Sequence, residues 1–138
     1  MSQYTKYTYD NALLLKAAGL LAVSTDSIIL DLGDGFVEGD VVIDLSACEI
    51  ATGDEIYTVS VEASNVAAMT SGSVCLCKKV FGNLVAPMDA ALSAPGRYVI
   101  SFRNEENGTL YRYIRLSTVV AGTIATGINF MAFVGKDC

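Results

Sequence analysis

The feature that most constrains this fold is an alternation of apolar and polar side chains that recurs in short segments. In residues 97–103, Tyr98, Ile100 and Phe102 share one face of an extended chain, and polar side chains mostly occupy the other. Successive side chains of a β-strand point to opposite faces, so this pattern predicts a strand that covers a core on one side. Strand patterns also occur in residues 27–32, 40–46, 55–62 and 73–81.

The C-terminal part of the chain, residues 94–135, predicts three strands in succession. Asn107-Gly108 tolerates positive φ and is typical of a hairpin turn that leads the chain back along residues 110–120. A second break at residues 121–123 leads into the segment 128–134, which is apolar on both faces. The sequence therefore predicts an antiparallel meander whose last strand is covered on both sides.

The number and spacing of these segments predict the fold class. We count seven or eight short strands separated by turn signals and almost no helix, which is typical of an all-β antiparallel sandwich of jelly-roll or Greek-key type. A chain of 138 residues fits one such domain. We expect residues 1–26 to form an N-terminal arm and residues 27–138 to form the sandwich. Within the arm, a short helix over residues 13–18 is expected between Asp10 and Gly19.

Composition limits the classes of partner. Hydrophobic residues make up 52% of the chain and charged residues 17%, which favours apolar surface that is hidden against partner subunits. The net charge is −6, so direct contact with nucleic acid or with an anionic membrane surface is not expected. The apolar runs are too short to cross a bilayer.

The residue inventory argues against an enzyme, a metal site and a cofactor. The chain has no histidine, and its adjacent Glu105-Glu106 pair falls in a predicted hairpin tip. The acidic residues from Asp31 to Asp44 lack the order of a calcium loop, so solvated side chains are favoured over a cation site. Cys75 and Cys77 are expected to share a strand face as reduced thiols, and Lys78-Lys79 indicates an edge strand or a bulge.

Two groups of side chains are candidate partner contacts. The first is the tyrosine-rich arm, with Tyr4, Tyr7 and Tyr9; an unstructured terminus explains the same residues equally well. The second is a row on one face of a predicted strand, Tyr111, Tyr113 and Arg115. Exposed Tyr and Arg side chains are typical of binding hot spots, and cross-strand packing on the outer sheet surface is the alternative.

Several segments together resemble a known family. They are DLGDG (residues 31–35), EIYTVSVEAS (55–64), GRYVISF (96–102), YRYIRLSTVVAGT (111–123) and TGINFMAFVGK (126–136). In these segments the chain resembles the small jelly-roll capsid cement (decoration) proteins of tailed bacteriophages, in particular those of short-tailed phages. The matching segments are strand and turn patterns, and no catalytic residues come with the family.

The resemblance implies a location and a role. It implies a homo-oligomeric jelly-roll protein, with a dimer favoured over a trimer, on the outer surface of the virion capsid. There it would bind the major capsid protein at junctions between subunits and stabilise the expanded shell. The rival hypothesis is a jelly-roll receptor-binding or carbohydrate-binding module of a phage tail, although the chain has no tryptophan for a sugar platform.

Overall fold

The computed structural model describes residues 7–8, 13–82 and 94–137, and the described residues contain β-strands and no α-helix. The long strands are β6 (Glu38–Cys48), β7 (Ile56–Ser64), β8 (Val74–Gly82), β9 (Gly96–Arg103), β12 (Tyr113–Ala121) and β13 (Ile128–Asp137). The short strands are β1 (Tyr7–Thr8), β2 (Leu14–Lys16), β3 (Leu20–Leu21), β4 (Thr25–Asp26), β5 (Leu30–Asp31), β10 (Glu105–Glu106) and β11 (Thr109–Leu110).

The long strands form two antiparallel sheets that pack face to face. In the first sheet, β13 pairs with β6, and β6 pairs with β9; the short strands β1, β2 and β3 pair with β13. In the second sheet, β12 pairs with β7, and β7 pairs with β8; β4 and β5 pair with β12. The expected all-β antiparallel sandwich is confirmed.

The core lies between the two sheets and follows the alternation in the sequence. Tyr57, Val59 and Val61 of β7 face Val41, Ile43 and Leu45 of β6 across it, and Ile128, Phe130 and Ala132 of β13 complete the inner face of the first sheet. The last strand is covered on both sides, as predicted, because Phe133 on its outer face is also only 1% exposed. Side chains of this size each contribute about 1.5–3 kcal/mol when buried.

The predicted C-terminal meander is wrong. β9 pairs with β6 in the first sheet, whereas β12 pairs with β7 in the second, so the chain changes sheets between Arg103 and Tyr113. The predicted turn does exist, with positive φ at Asn107 and Gly108, but it joins only the two short strands β10 and β11. Alternation fixes which face of a strand is buried and says nothing about its neighbour, which is why the sequence pattern misled here.

The crossover between the sheets is organised around Asn104, which has no exposed surface. Its Oδ1 accepts the backbone N–H of Val37 at 2.8 Å, and its Nδ2 donates to the carbonyl oxygens of Gly35 at 2.9 Å and Tyr111 at 2.8 Å. Its own backbone N–H donates to the Val37 carbonyl, and its carbonyl accepts the N–H of Tyr111. One buried amide therefore satisfies backbone groups of two loops that have no strand partner at this point.

The predicted helix in the N-terminal arm is also wrong. Leu14–Lys16 forms β2, which pairs with Ala132 and Phe133 of β13, and Leu15 is buried in the core. A helix of six residues is marginal in water, whereas the edge of β13 offers backbone hydrogen bonds and a core face. The short strands β2, β3 and β4 therefore lie along β13 and β12 of the two sheets.

Two side-chain expectations need correction as well. Cys75 and Cys77 do not share a face, because a register shift opposite Val61 and Glu62 places Cys75 in solvent while the half-buried Cys77 packs on the core. Burial raises the pKa of the Cys77 thiol to about 11. The strand pattern over residues 27–32 predicted an earlier start than the structure shows: β5 begins only at Leu30, and Ile28 is 60% exposed. Lys78-Lys79 indicated an edge strand or a bulge: among the described strands β8 lies at the edge of the second sheet, and its pairing with β7 contains the register shift beside Cys75 and Cys77.

We predict that Asn104→Ala lowers the free energy of unfolding by about 3 kcal/mol, because a fully buried amide is removed and one backbone N–H and two carbonyl groups around it lose their partners. The matched control is Asn65→Ala, which removes two hydrogen bonds at an exposed amide and should cost about 1 kcal/mol or less. Urea unfolding of both variants measures the difference. Equal losses would show that the buried amide has no special role in the crossover.

Candidate interaction surface

The side chains of the three arm tyrosines lie outside the part of the chain that the structure describes. Tyr4 and Tyr9 lie outside the described residues, and Tyr7 is described only through its backbone, which pairs with Asp137 in β13. Their role in partner contact stays a prediction.

The structure separates the residues of the predicted Tyr-Tyr-Arg row. Tyr111 precedes β12, where the chain is still crossing between the sheets, and it packs against the core. It therefore does not share a face with Tyr113 and Arg115, which lie on the outer face of the second sheet.

Arg115 is held within its own sheet. Its Nε donates to Glu62 Oε1 at 2.9 Å, its Nη1 lies 3.6 Å from Asp26 Oδ2, and its side chain is 21% exposed. Tyr113 is half-buried, and the guanidinium carbon of Arg112 lies 5.5 Å from its ring centroid. These contacts correspond to the cross-strand packing that was the alternative for this row.

A different group of residues comes together at one end of the sandwich. We call this end the hairpin end; it consists of the loops 32–37 and 64–73 and the crossover segment 104–112. Asn104 ties the first loop to the crossover, as described above. Asn65 ties the second loop to it, because its Nδ2 donates to the Leu110 carbonyl at 2.9 Å and its Oδ1 accepts the Arg112 N–H at 3.0 Å.

Arg112 attaches the DLGDG segment to the same end of the sandwich through ion pairs. Its Nε and Nη2 donate to the two carboxylate oxygens of Asp31 at 2.7 and 3.0 Å, and its Nη1 lies 3.5 Å from Asp34 Oδ1. This two-pronged hydrogen bond lowers the pKa of Asp31 and raises the pKa of Arg112. The DLGDG loop is thus attached to the start of β12 by charge as well as by the Asn104 amide.

Each part of the hairpin end carries one large exposed apolar side chain. Phe36, Val66 and Leu110 are 53%, 39% and 42% exposed, and they lie on the first loop, the second loop and the hairpin. Sequence analysis missed this group, because isolated apolar residues in loops have no periodicity. The available signal was only the glycine or amide that directly precedes two of them, Gly35 before Phe36 and Asn65 before Val66.

Several cavities open at the hairpin end, and two of them are lined by residues of the crossover segment. One has a volume of about 250 Å³ and is lined in part by Asp34, Asn65, Leu110 and Arg112. The other, of about 400 Å³, lies where β8 and β9 approach each other. It is lined by Glu38, Leu76, Ser101, Phe102, Arg103, Glu105 and Glu106. Among the described residues, no group of three or more His, Cys, Asp or Glu side chains is placed to hold a metal ion.

Carboxylates at the opposite end of the sandwich bind backbone amides. Glu49 accepts N–H groups of Ala125, Thr126 and Gly127, which fixes the turn before β13. The buried carboxylate of Glu55 accepts the N–H groups of Thr52 and Gly53. These acids therefore hold loops in place.

The acids on the outer face of the first sheet are also engaged. Asp44 forms a two-pronged ion pair with Arg97, with its oxygens 2.7 and 2.9 Å from Nε and Nη2. Asp40 accepts a hydrogen bond from Ser101 Oγ at 2.6 Å. The acidic run in the sequence is thus divided among separate partners on two sheets.

Comparisons with protein families, curated proteins and solved structures find no match to this chain. The described residues include no helix that is long and apolar enough to span a bilayer.

We predict that Glu49→Gln destabilises the protein at neutral pH and that this effect fades in acid. Hydrogen bonds from Thr126 and Gly127, with further N–H donation from Ala125, outweigh desolvation and lower the pKa of Glu49 in the folded state. An unfolded Glu titrates near pH 4.3, so the stabilisation is complete above about that pH and is lost as the pH falls through the lower folded pKa.

Urea unfolding of wild type and variant at neutral and at acidic pH measures this difference. Glu106→Gln, a change of the same kind at an exposed position, is the control and should differ little from wild type throughout. A Glu49→Gln deficit of unchanged size in acid would contradict the prediction.

Proposed function

We propose that this protein is a structural virion protein, a capsid cement (decoration) protein that binds the outside of a tailed-phage capsid and stabilises contacts between major capsid protein subunits. The proposal also includes its location on the outer capsid surface, a homo-oligomeric state with a dimer favoured, and no catalytic activity.

The order of the strands is the observation that carries the proposal. We count β1–β3 together as strand position 1 and β4–β5 together as position 2. The six long strands, in chain order, are then positions 3 to 8. The first sheet then has the order 1-8-3-6 and the second 2-7-4-5. We infer from this order a jelly roll, a double-sheet fold of eight strands, which is the fold that the sequence resemblance implies.

The polar chemistry of the interior favours a structural role over catalysis. Among the described residues, every buried side-chain nitrogen or oxygen has a hydrogen-bond partner. The buried carboxylate and amide groups hold backbone atoms of neighbouring loops, as Glu55 and Asn104 do. Satisfied buried networks of this kind make a scaffold rigid.

A cement protein acts by the sum of many copies. Each copy would bury part of its surface between subunits of the shell, and the symmetry of the shell repeats that contact at equivalent junctions. Modest affinity at each site then adds up by multivalency. The charge of −6 favours a protein partner over nucleic acid or an anionic membrane.

We predict that purified protein added to capsids assembled without it raises the temperature at which the shells release their DNA. Contacts across subunit junctions stabilise the shell only when the protein is bound, so the rise should saturate with the number of junctions. An unrelated acidic protein of similar size is the control. Cryo-electron microscopy of the complete particle should show a small β-sandwich at regular junctions on the outer shell.

Two results would contradict the proposal. Shells that respond to neither protein would exclude a cementing role. A β-sandwich found on the tail and not on the shell would favour the receptor-binding or carbohydrate-binding hypothesis.

A further inference from the structure

We infer that the hairpin end is the surface that contacts the capsid, and that it fits an apolar protein surface flanked by Lys or Arg side chains. This inference deepens the proposed function and rests on it. It is argued from the exposed apolar side chains, the rigidity of their loops and the charge around them.

The apolar contribution comes from Phe36, Val66 and Leu110, one from each part of the hairpin end. Leu110 lines the smaller cavity, as do Gly35 and Asn65, which directly precede Phe36 and Val66 in the chain. The other large apolar side chains that are exposed among the described residues are spread over the N-terminal edge and the outer faces of both sheets: Leu20, Val23, Ile28, Val99 and Val119. Apolar side chains that are grouped on a rim of polar residues mark interaction surfaces.

The loops that carry these side chains are already fixed. Asn104 joins the Gly35–Val37 segment to Tyr111, and Asn65 joins the second loop to Leu110 and Arg112. Ser64 closes the second loop on itself through hydrogen bonds with Val66 and Ser71. A surface whose backbone is held in this way loses little conformational entropy on binding, so its apolar contacts contribute more fully to affinity.

The negative charge around the hairpin end favours a partner surface that carries positive charge. Five carboxylates lie in or directly beside the hairpin end, with the two guanidinium groups of Arg103 and Arg112, which gives a formal excess of three negative charges. The carboxylates are those of Asp31, Asp34, Glu38, Glu105 and Glu106.

Part of this negative charge lines the larger cavity. Three of the carboxylates line it, its volume of about 400 Å³ admits a Lys or Arg side chain, and Glu106 is exposed at its rim. Nucleic acid and anionic lipid are repelled by the same charges, so a basic, apolar protein surface is the complementary partner.

The apolar part is tested with two leucines on short strands. Leu110→Asp places a charge at the hairpin end, and Leu20→Asp makes the same change on β3, near the opposite end of the sandwich, where the side chain is 58% exposed. Binding of wild type and both variants to capsids assembled without this protein is measured by co-sedimentation. We expect Leu110→Asp to bind at least about tenfold more weakly than wild type, and Leu20→Asp to bind like wild type.

The electrostatic part is tested with one lysine at either end. Glu106→Lys reverses a charge beside the larger cavity, and Ala51→Lys introduces a lysine at an exposed position at the other end. We expect Glu106→Lys to weaken binding several-fold at low salt and to approach wild type as salt rises, because salt screens this contribution. Ala51→Lys should bind like wild type.

The outcomes separate this inference from the proposed function. Wild-type protein that does not bind shells overturns both. Wild-type binding that is unaffected by Leu110→Asp and Glu106→Lys, or that is lost with Leu20→Asp instead, overturns the hairpin end as the docking surface and leaves the cement role intact. Thermal unfolding of each variant confirms that it is folded, and Phe36→Asp replaces Leu110→Asp if the latter is not.

Discussion

The structure depends on one buried amide at the point where the chain passes from the first sheet to the second. Asn104 satisfies two carbonyl groups and one N–H that no strand reaches, and it makes two further backbone hydrogen bonds of its own. Without those partners the crossover would leave the buried Asn104 amide and part-buried backbone groups unpaired, which costs more than the hydrogen bonds themselves contribute. The two sheets can therefore pack closely at this end, because the Asn104 side chain forms hydrogen bonds with backbone groups that the strand ladders leave unpaired.

The hydrogen bonds of Asn104 also hold the loops of the hairpin end. Because the DLGDG loop, the second loop and the hairpin are tied together, their exposed apolar side chains are held in a fixed arrangement. Arg112 adds a charged contact to the side of this arrangement without entering the core. At the opposite end, the loops are held by the carboxylates of Glu49 and Glu55, which accept hydrogen bonds from backbone N–H groups. The acidic composition of the chain thus has a structural use beyond solubility.

The proposed cement role and the proposed docking surface follow from different features. The role is supported by the strand order and by the resemblance in the sequence, both of which concern the scaffold. The docking surface is supported by side chains in loops, which vary independently of the scaffold. A rigid sandwich that presents a fixed, acidic and partly apolar end is suited to holding basic protein surfaces together.

The sequence by itself determined the fold class, the positions of the long strands and the faces that they bury, because alternation is a local property that reports burial directly. It also located the turn at Asn107-Gly108, since few residues accept positive φ. Only the tertiary structure decided which strands are neighbours, whether Leu14–Lys16 is helix or strand, and which loops meet at the hairpin end. Those outcomes depend on contacts between residues far apart in the chain, about which the local pattern holds no information.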